Sequence, residues 1–288
     1  MTRPVQVGAS GGEAYLLMTD QKTALVDTGF AYCAPVMIQN IKNALGGRDL
    51  DFILLTHSHY DHVSGAPYCK DVWKNCKIVC SEYAANVFTR PGALKLMAQL
   101  NETAAEIAGV KEYEPSVSKI AADIAVKDGD TVDMGDMKLR VLEMPGHTKC
   151  STGYFEENEK LLIGCETLGV CVPPDKDVIP CFLVSCESSI KAIKRALELK
   201  PDKLIITPYG YMEGEEPARV LNLAVTRAVE MREFVTARHR CGISEAGIAR
   251  ELKDKIYTER YAKYQPEGAF MLNTEIMVEL LIKEYSDR

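Results

Sequence analysis

A mixed α/β fold is what this sequence predicts, and three observations carry the prediction. Short apolar runs of strand length alternate with segments of helical periodicity from Ala14 to Thr207. Turn-forming residues bound those runs, as in Thr19-Asp20-Gln21-Lys22 and Gly46-Gly47. Beyond about Pro217 the alternating runs stop, and three helical patterns follow one another to the end. The expected division is an α/β body over 1–216 and a helical extension over 217–288 that packs on it.

The elements follow in order. Ala14 to Met18 and Thr23 to Val26 flank a polar turn and read as a hairpin, closed by Asp27-Thr28-Gly29. Pro35 opens a segment with Ile38, Ile41 and Leu45 at helical spacing, and the buried-strand run Phe52 to Leu55 comes next. Further strands are expected at Lys77 to Cys80, Lys138 to Met144, Thr152 to Phe155, Leu161 to Gly164 and Lys203 to Thr207. Helices are expected around Ser81 to Phe88 and Leu94 to Ile107. In the tail, Pro217 suits the first turn of a helix carrying Val220, Ala224, Ala228, Met231 and Val235. Ser244 can cap a second helix with Ile248, Leu252 and Ile256, and a third carries Phe270, Met277 and Leu281. Ordinary packing accounts for this tail, and its large side chains Phe234, Tyr257, Tyr261, Tyr264 and Phe270 also suit a substrate-shaping cap.

Composition narrows the function. The 288 residues are 47% hydrophobic, enough for a large core, and the net charge of -7 leaves no cationic surface for a phosphate backbone. Nucleic acid is therefore not an expected partner. No apolar run approaches the roughly 20 residues of a membrane span, and the first ten residues lack the apolar stretch of a secretory signal. A cytoplasmic protein is expected, with its ten cysteines kept as thiols and no CxxC pair among them.

The chemistry gathers at Thr56-His57-Ser58-His59-Tyr60-Asp61-His62, directly after the strand run Phe52 to Leu55. Three of the chain's five histidines and one carboxylate thus leave a strand end together. Alternation along an extended segment puts His57 and His59 on one side for one ion and leaves Asp61 and His62 for a second. His147, in the Pro145-Gly146-His147-Thr148 turn after another strand, completes a tri-histidine set of the kind that catalytic zinc uses with an open position. His239, between two arginines in the tail, reads as a solvated helix end.

From about Gly12 to Gly210 the order of motifs resembles the metallo-β-lactamase superfamily. Asp27-Thr28-Gly29, the Thr56 to His62 block with Ser64-Gly65, Asp128-Gly129-Asp130, Pro145-Gly146-His147-Thr148 and Leu161-Leu162-Ile163-Gly164 look like its landmarks in family order. The resemblance implies an αβ/βα sandwich of two mixed sheets with helices outside and a metal site at one edge. The tail resembles that of hydroxyacylglutathione hydrolases and of thioesterase-like quinolone-response proteins. Two departures stand out. Where the family has a bridging Asp, this chain reads Cys165-Glu166-Thr167-Leu168, so Glu166 is expected to bridge, with Cys165 as a softer rival donor. Where the family places its last metal histidine, the chain has Tyr209, open to three roles: oxygen ligand, hydrogen-bond donor to substrate, or packing.

The expected cofactor is a pair of divalent metal ions, zinc first, with iron or manganese as alternatives. Asp61, His62 and Glu166 would give the second ion a harder, more oxygen-rich shell than the tri-histidine ion has. Such a pair lowers the pKa of bound water toward about 7 and polarises a carbonyl. Asp61 would orient that water and accept its proton. Ester or thioester hydrolysis of a small-molecule acyl substrate is the expected activity, with a homodimer left open. Two rivals stand beside it. A diiron oxidoreductase would resemble HxExDH, whereas position 59 here is His, and no flavodoxin-like or rubredoxin-like segment is present. A regulatory protein could keep the metal site as a scaffold.

Overall fold

Leu25, Ile53, Met37 and Ile41 share one buried cluster, which is why the first strands and the first helix form where the apolar periodicity puts them. The computed structural model describes residues 3–9, 14–113, 116–172, 177–207, 210–263 and 265–285. The chain forms two compact units, Met1–Glu143 with Cys150–Gly164, and Met144–Lys149 with Cys165–Arg288.

In the first unit, β1 (Val5–Gln6), β2 (Tyr15–Met18) and β3 (Thr23–Val26) run antiparallel. β4 (Phe52–Leu54), β5 (Lys77–Ser81) and β6 (Ile124–Val126) then add in parallel, giving a mixed sheet in sequence order. The β2–β3 turn is closed as its residues predict, the Thr19 N–H donating to Lys22 O at 2.9 Å. Parallel strands need crossovers. The helices α1 (Ala34–Leu45), α2 (Tyr60–Val63), α3 (Ala66–Val72), α4 (Glu82–Val87) and α5 (Pro91–Ile107) lie in those connections. Pro35 stands in the first turn of α1, and Gly46 ends it in the left-handed conformation, φ 59°. β7 (Thr131–Asp133), β8 (Lys138–Glu143), β9 (Thr152–Glu156) and β10 (Leu161–Gly164) pair antiparallel in order. They are tied to the mixed sheet by Tyr154 Oη donating to Leu55 O at 3.1 Å and by the Thr152 N–H donating to Thr56 O at 2.7 Å.

The second unit holds two antiparallel pairs, β11 (Val170–Val172) with β12 (Asp177–Ile179) and β13 (Lys203–Ile206) with β14 (Gly210–Glu213). Its helices are α6 (Cys186–Glu198), α7 (Glu216–Arg240), α8 (Glu245–Ile256) and α9 (Glu267–Tyr285). The α7 residues expected on one face are all buried, and Ala228, Met231 and Val235 share a cluster with Ile248 and Leu252 of α8 and with Met277 and Leu281 of α9. Ser244 caps α8, accepting from the Gly247 N–H at 3.3 Å. Contacts group the helical tail with α6 and the strands after Cys165. No described helix is long and apolar enough to cross a membrane. Among the described residues, the strands that the sequence did not disclose, β1, β6, β7, β11, β12 and β14, are two to four residues long.

Candidate metal centre

Parallel pairing of β3 and β4 places Val26 opposite Leu54, so the two strands end side by side, with Asp27 following one and Leu55-Thr56-His57 following the other. The Asp27 N–H donates to Leu54 O at 3.0 Å, and its backbone is left-handed, φ 54°. That turns its carboxylate toward the second strand end. Asp27 Oδ1 accepts the Thr56 N–H at 2.8 Å, and Oδ2 accepts the Thr56 hydroxyl at 2.8 Å. Oδ2 also lies 2.9 Å from His62 Nδ1, which donates to it because a carboxylate only accepts.

With its proton given to Asp27, Thr56 Oγ1 accepts from His57 Nδ1 at 3.0 Å. The result is one buried chain of donors and acceptors, His57–Thr56–Asp27–His62, in which Asp27 and both rings are at most 1% exposed. Both imidazoles thereby carry the proton on Nδ1 and present Nε2 as a lone pair, the arrangement that carboxylate and hydroxyl partners impose on ligating histidines. His59 caps α2 in extended conformation, its ring centroid 4.6 Å from that of His57, while His62 lies 4.1 Å from His57. Asp61, with its side chain 31% exposed, has Oδ2 3.7 Å from His62 Nε2. The four residues predicted from the motif are thus gathered within the first unit. Thr28 holds the loop from below, its N–H and hydroxyl both donating to His62 O at 2.7 and 2.9 Å. Gly65 permits that approach, since a Cβ there would lie 2.3 Å from Thr28 O.

The second unit holds His147 and Glu166. Gly146 adopts φ 145°, and a Cβ on it would meet Ser189 Oγ at 2.1 Å and Ser189 N at 2.7 Å, so the turn sits directly against α6. Gly146 O accepts the Val184 and Ser185 N–H groups, and Thr167 Oγ1 accepts the His147 N–H while donating to Met144 O. His147 Nδ1 donates to Cys181 O at 2.8 Å, which again leaves Nε2 as the outward atom, 2.8 Å from Glu166 Oε2. Burial alone would push this imidazole down, but Cys181 and Glu166 beside it prevail and hold it well above the usual histidine range. Glu166 opens a short 3-10 turn and is 8% exposed, with Cys165 buried before it. A buried imidazole–carboxylate pair of this kind is chemically a ligand set in which a proton occupies the place a cation would take.

The donor set of each unit fits a divalent ion: imidazole Nε2 atoms oriented through Nδ1, and carboxylate oxygens beside them. Tyr209 lies outside the described residues. Sequence reasoning took Asp27 as a turn residue and part of a family landmark, not as a partner of the histidines. The signal was its place directly after one strand, with the neighbouring strand running into Thr56-His57. Cys181 acts through its carbonyl, which no side-chain pattern could announce.

A model of the metallo-beta-lactamase superfamily matches residues 7–207. The chain belongs to that superfamily. Over its whole length this superfamily member is similar in fold to a metallo-beta-lactamase family protein from Thermus thermophilus, with TM-score 0.67, 15% identity, and 99% of this chain and 95% of that one covered. Its α/β architecture with C-terminal helices is therefore the metallo-β-lactamase fold. Among curated proteins it is 26% identical over 199 residues to glyoxylase B2 of Dictyostelium discoideum, covering 65% of this chain and 62% of that one. It is 30% identical over 146 residues to a hydroxyacylglutathione hydrolase of Bradyrhizobium sp. (51% and 43%), and 26% identical over 229 residues to the coenzyme F420H(2) oxidase of Methanocaldococcus jannaschii (76% and 47%). The matched regions span 43 to 62% of the length of these relatives.

Proposed function

We propose that this superfamily member is a metal-dependent hydrolase that cleaves the ester or thioester carbonyl of a small-molecule acyl substrate. One observation carries the reading: His57, His62 and His147 are each held through Nδ1 by an oxygen, so that each presents Nε2 as a ligand atom. His57, His59 and His147 are the proposed ligands of one ion, and Asp61, His62 and Glu166 those of a second. Zinc suits the histidine set best, and the more oxygen-rich set suits iron or manganese as well.

When bound, such ions bring the pKa of water toward about 7 and polarise a carbonyl. The remaining work belongs to the chain. Asp61, the most exposed carboxylate of the set, orients the attacking water and accepts its proton. The Asp27–Thr56 network keeps two imidazoles in one tautomer throughout, so no reorganisation is needed at that wall of the site. No side-chain nucleophile is required. The likeness to a hydroxyacylglutathione hydrolase supports a thioester substrate.

His59→Ala should lose most of the bound metal and the hydrolytic activity, read by elemental analysis of purified protein and by a panel of acyl-thioesters and phosphodiesters. Retention of both would sink the ligand assignment, and a wild-type protein inert on the whole panel would favour a regulatory metal scaffold. The likeness to an F420H(2) oxidase supports a second reading, an iron-based oxidoreductase. Protein purified with two irons and hydrolytically inactive would favour it.

A further inference from the structure

We propose that Asn101 is a positioning residue that acts through Ser64 on the turn carrying Asp61. That turn is α2, four residues from Tyr60 to Val63. A single helical turn fixes several backbone dihedrals for few hydrogen bonds, so it is unfavourable by itself and takes its shape from its surroundings. Its His62 and Val63 N–H groups both donate to His59 O, at 3.0 and 3.2 Å. Thr28 donates to His62 O and Asp27 accepts from the His62 ring, which holds one end. At the other end Tyr60 O accepts the Ser64 hydroxyl at 2.5 Å.

The Asn101 amide decides where that hydroxyl points. Asn101 Oδ1 accepts the Ala31 N–H at 3.0 Å, so Nδ2 faces the other way, where it donates to Ser64 Oγ at 2.7 Å and to Met97 O at 2.9 Å. A hydroxyl has one proton, and Ser64, accepting from the amide, is left to direct its own at Tyr60 O. Asn101 and Ser64 are both fully buried, so the direction of these bonds is set within the fold. The segment after β3, at Ala31, and the segment after β4, at Ser64, are thereby tied to one side chain of α5.

Asparagine is a weak helix former, and local propensity does not ask for one in the middle of α5. On the buried face of that helix Asn101 stands between Met97 and Ala105. An amide is tolerable there because its oxygen and both its N–H groups find partners. Asp61 lies between the two carbonyls that are fixed in this way, Tyr60 O and His62 O. The consequence for Asp61 as the residue that orients water rests on the proposed hydrolysis, whereas the clamp on the turn does not.

Asn101→Asp tests it, because the new carboxylate still accepts the Ala31 N–H but replaces the amide nitrogen with an acceptor that draws the Ser64 proton away from Tyr60 O. Amide hydrogen exchange in the metal-free full chain reads the turn directly. The Val63 N–H should exchange about five- to tenfold faster than in wild type, while the amides of Leu25 and Ile53 in the sheet keep their rates. Ser64→Ala should give the same rise, and adding Asn101→Asp to it should bring no further rise at Val63, since the amide acts through the hydroxyl. In the metal-loaded protein both variants should lower kcat on the best acyl-thioester about tenfold or more, with KM within about twofold of wild type. Val63 exchange within about twofold of wild type in Asn101→Asp and Ser64→Ala, or sheet amides that speed up equally, would overturn the clamp. Faster exchange at Val63 with kcat unchanged would overturn the positioning of Asp61. A wild type inert on every acyl-thioester would instead sink the hydrolase reading, and the exchange rates would still decide the clamp.

Discussion

Asp27→Asn is the sharpest test of the network behind the imidazoles. The change is isosteric, and asparagine tolerates the left-handed backbone at φ 54°, so strain does not confuse the result. The amide oxygen can still accept the Thr56 N–H, now at 2.8 Å, but the amide nitrogen then faces the Thr56 hydroxyl and His62 Nδ1. The Thr56 hydroxyl can turn to accept from it, whereas His62 Nδ1–H now faces a donor. One charge-assisted hydrogen bond is lost and another becomes neutral, so the stability loss should be about 2–4 kcal/mol. His62 can satisfy the new amide only by accepting at Nδ1, which moves its proton to Nε2 and removes the lone pair that faces a metal. Changes in groups that orient ligating histidines cost about 10–100-fold in metal affinity, and this one should fall in that range. Competition with a calibrated chelator gives the affinity, urea unfolding gives the stability, and nitrogen-15 shifts of the histidine rings report the tautomer. A folded Asp27→Asn protein holding metal within about twofold of wild type, with His62 still protonated on Nδ1, would refute the reasoning.

Two further changes probe other parts of the argument. Gly146→Ala should destabilise by about 2–4 kcal/mol and loosen His147, because the new Cβ meets the Ser189 backbone nitrogen at 2.7 Å as well as its hydroxyl; adding Ser189→Gly should not restore thermal stability, and full restoration would show that only the side chain was in the way. Asp123 is held below the ordinary carboxylate range: burial opposes this, but the Ile78 N–H and Lys70, both at 2.9 Å, with Lys77 nearby, outweigh it. A depressed carboxylate stabilises the fold above its unfolded pKa of about 4, and that contribution disappears as pH falls through the lower folded value. Urea midpoints measured from neutral to acid pH should therefore fall less steeply in Asp123→Asn than in wild type, and parallel profiles would remove Asp123 from the account.

The sequence by itself determined the α/β order, the helical tail and the clustering of the motif histidines. The runs Thr23 to Val26, Phe52 to Leu55 and Leu161 to Gly164 are short, apolar and bounded by turn residues, as buried strands are, and α7 shows its buried face in the spacing of Val220, Ala224, Ala228, Met231 and Val235. The motif from His57 to His62 is local, so its clustering could be read without a fold. What only tertiary structure decided is which atoms those residues use. Asp27 and His62 are 35 positions apart, and His147 and Cys181 are 34 apart. Parallel pairing of β3 with β4 brings the first pair together, and the packing of the Gly146 turn against α6 fixes the surroundings of the second. A tautomer is set by the hydrogen bond on the far side of the ring, and that partner is chosen by the folded chain, not by the motif.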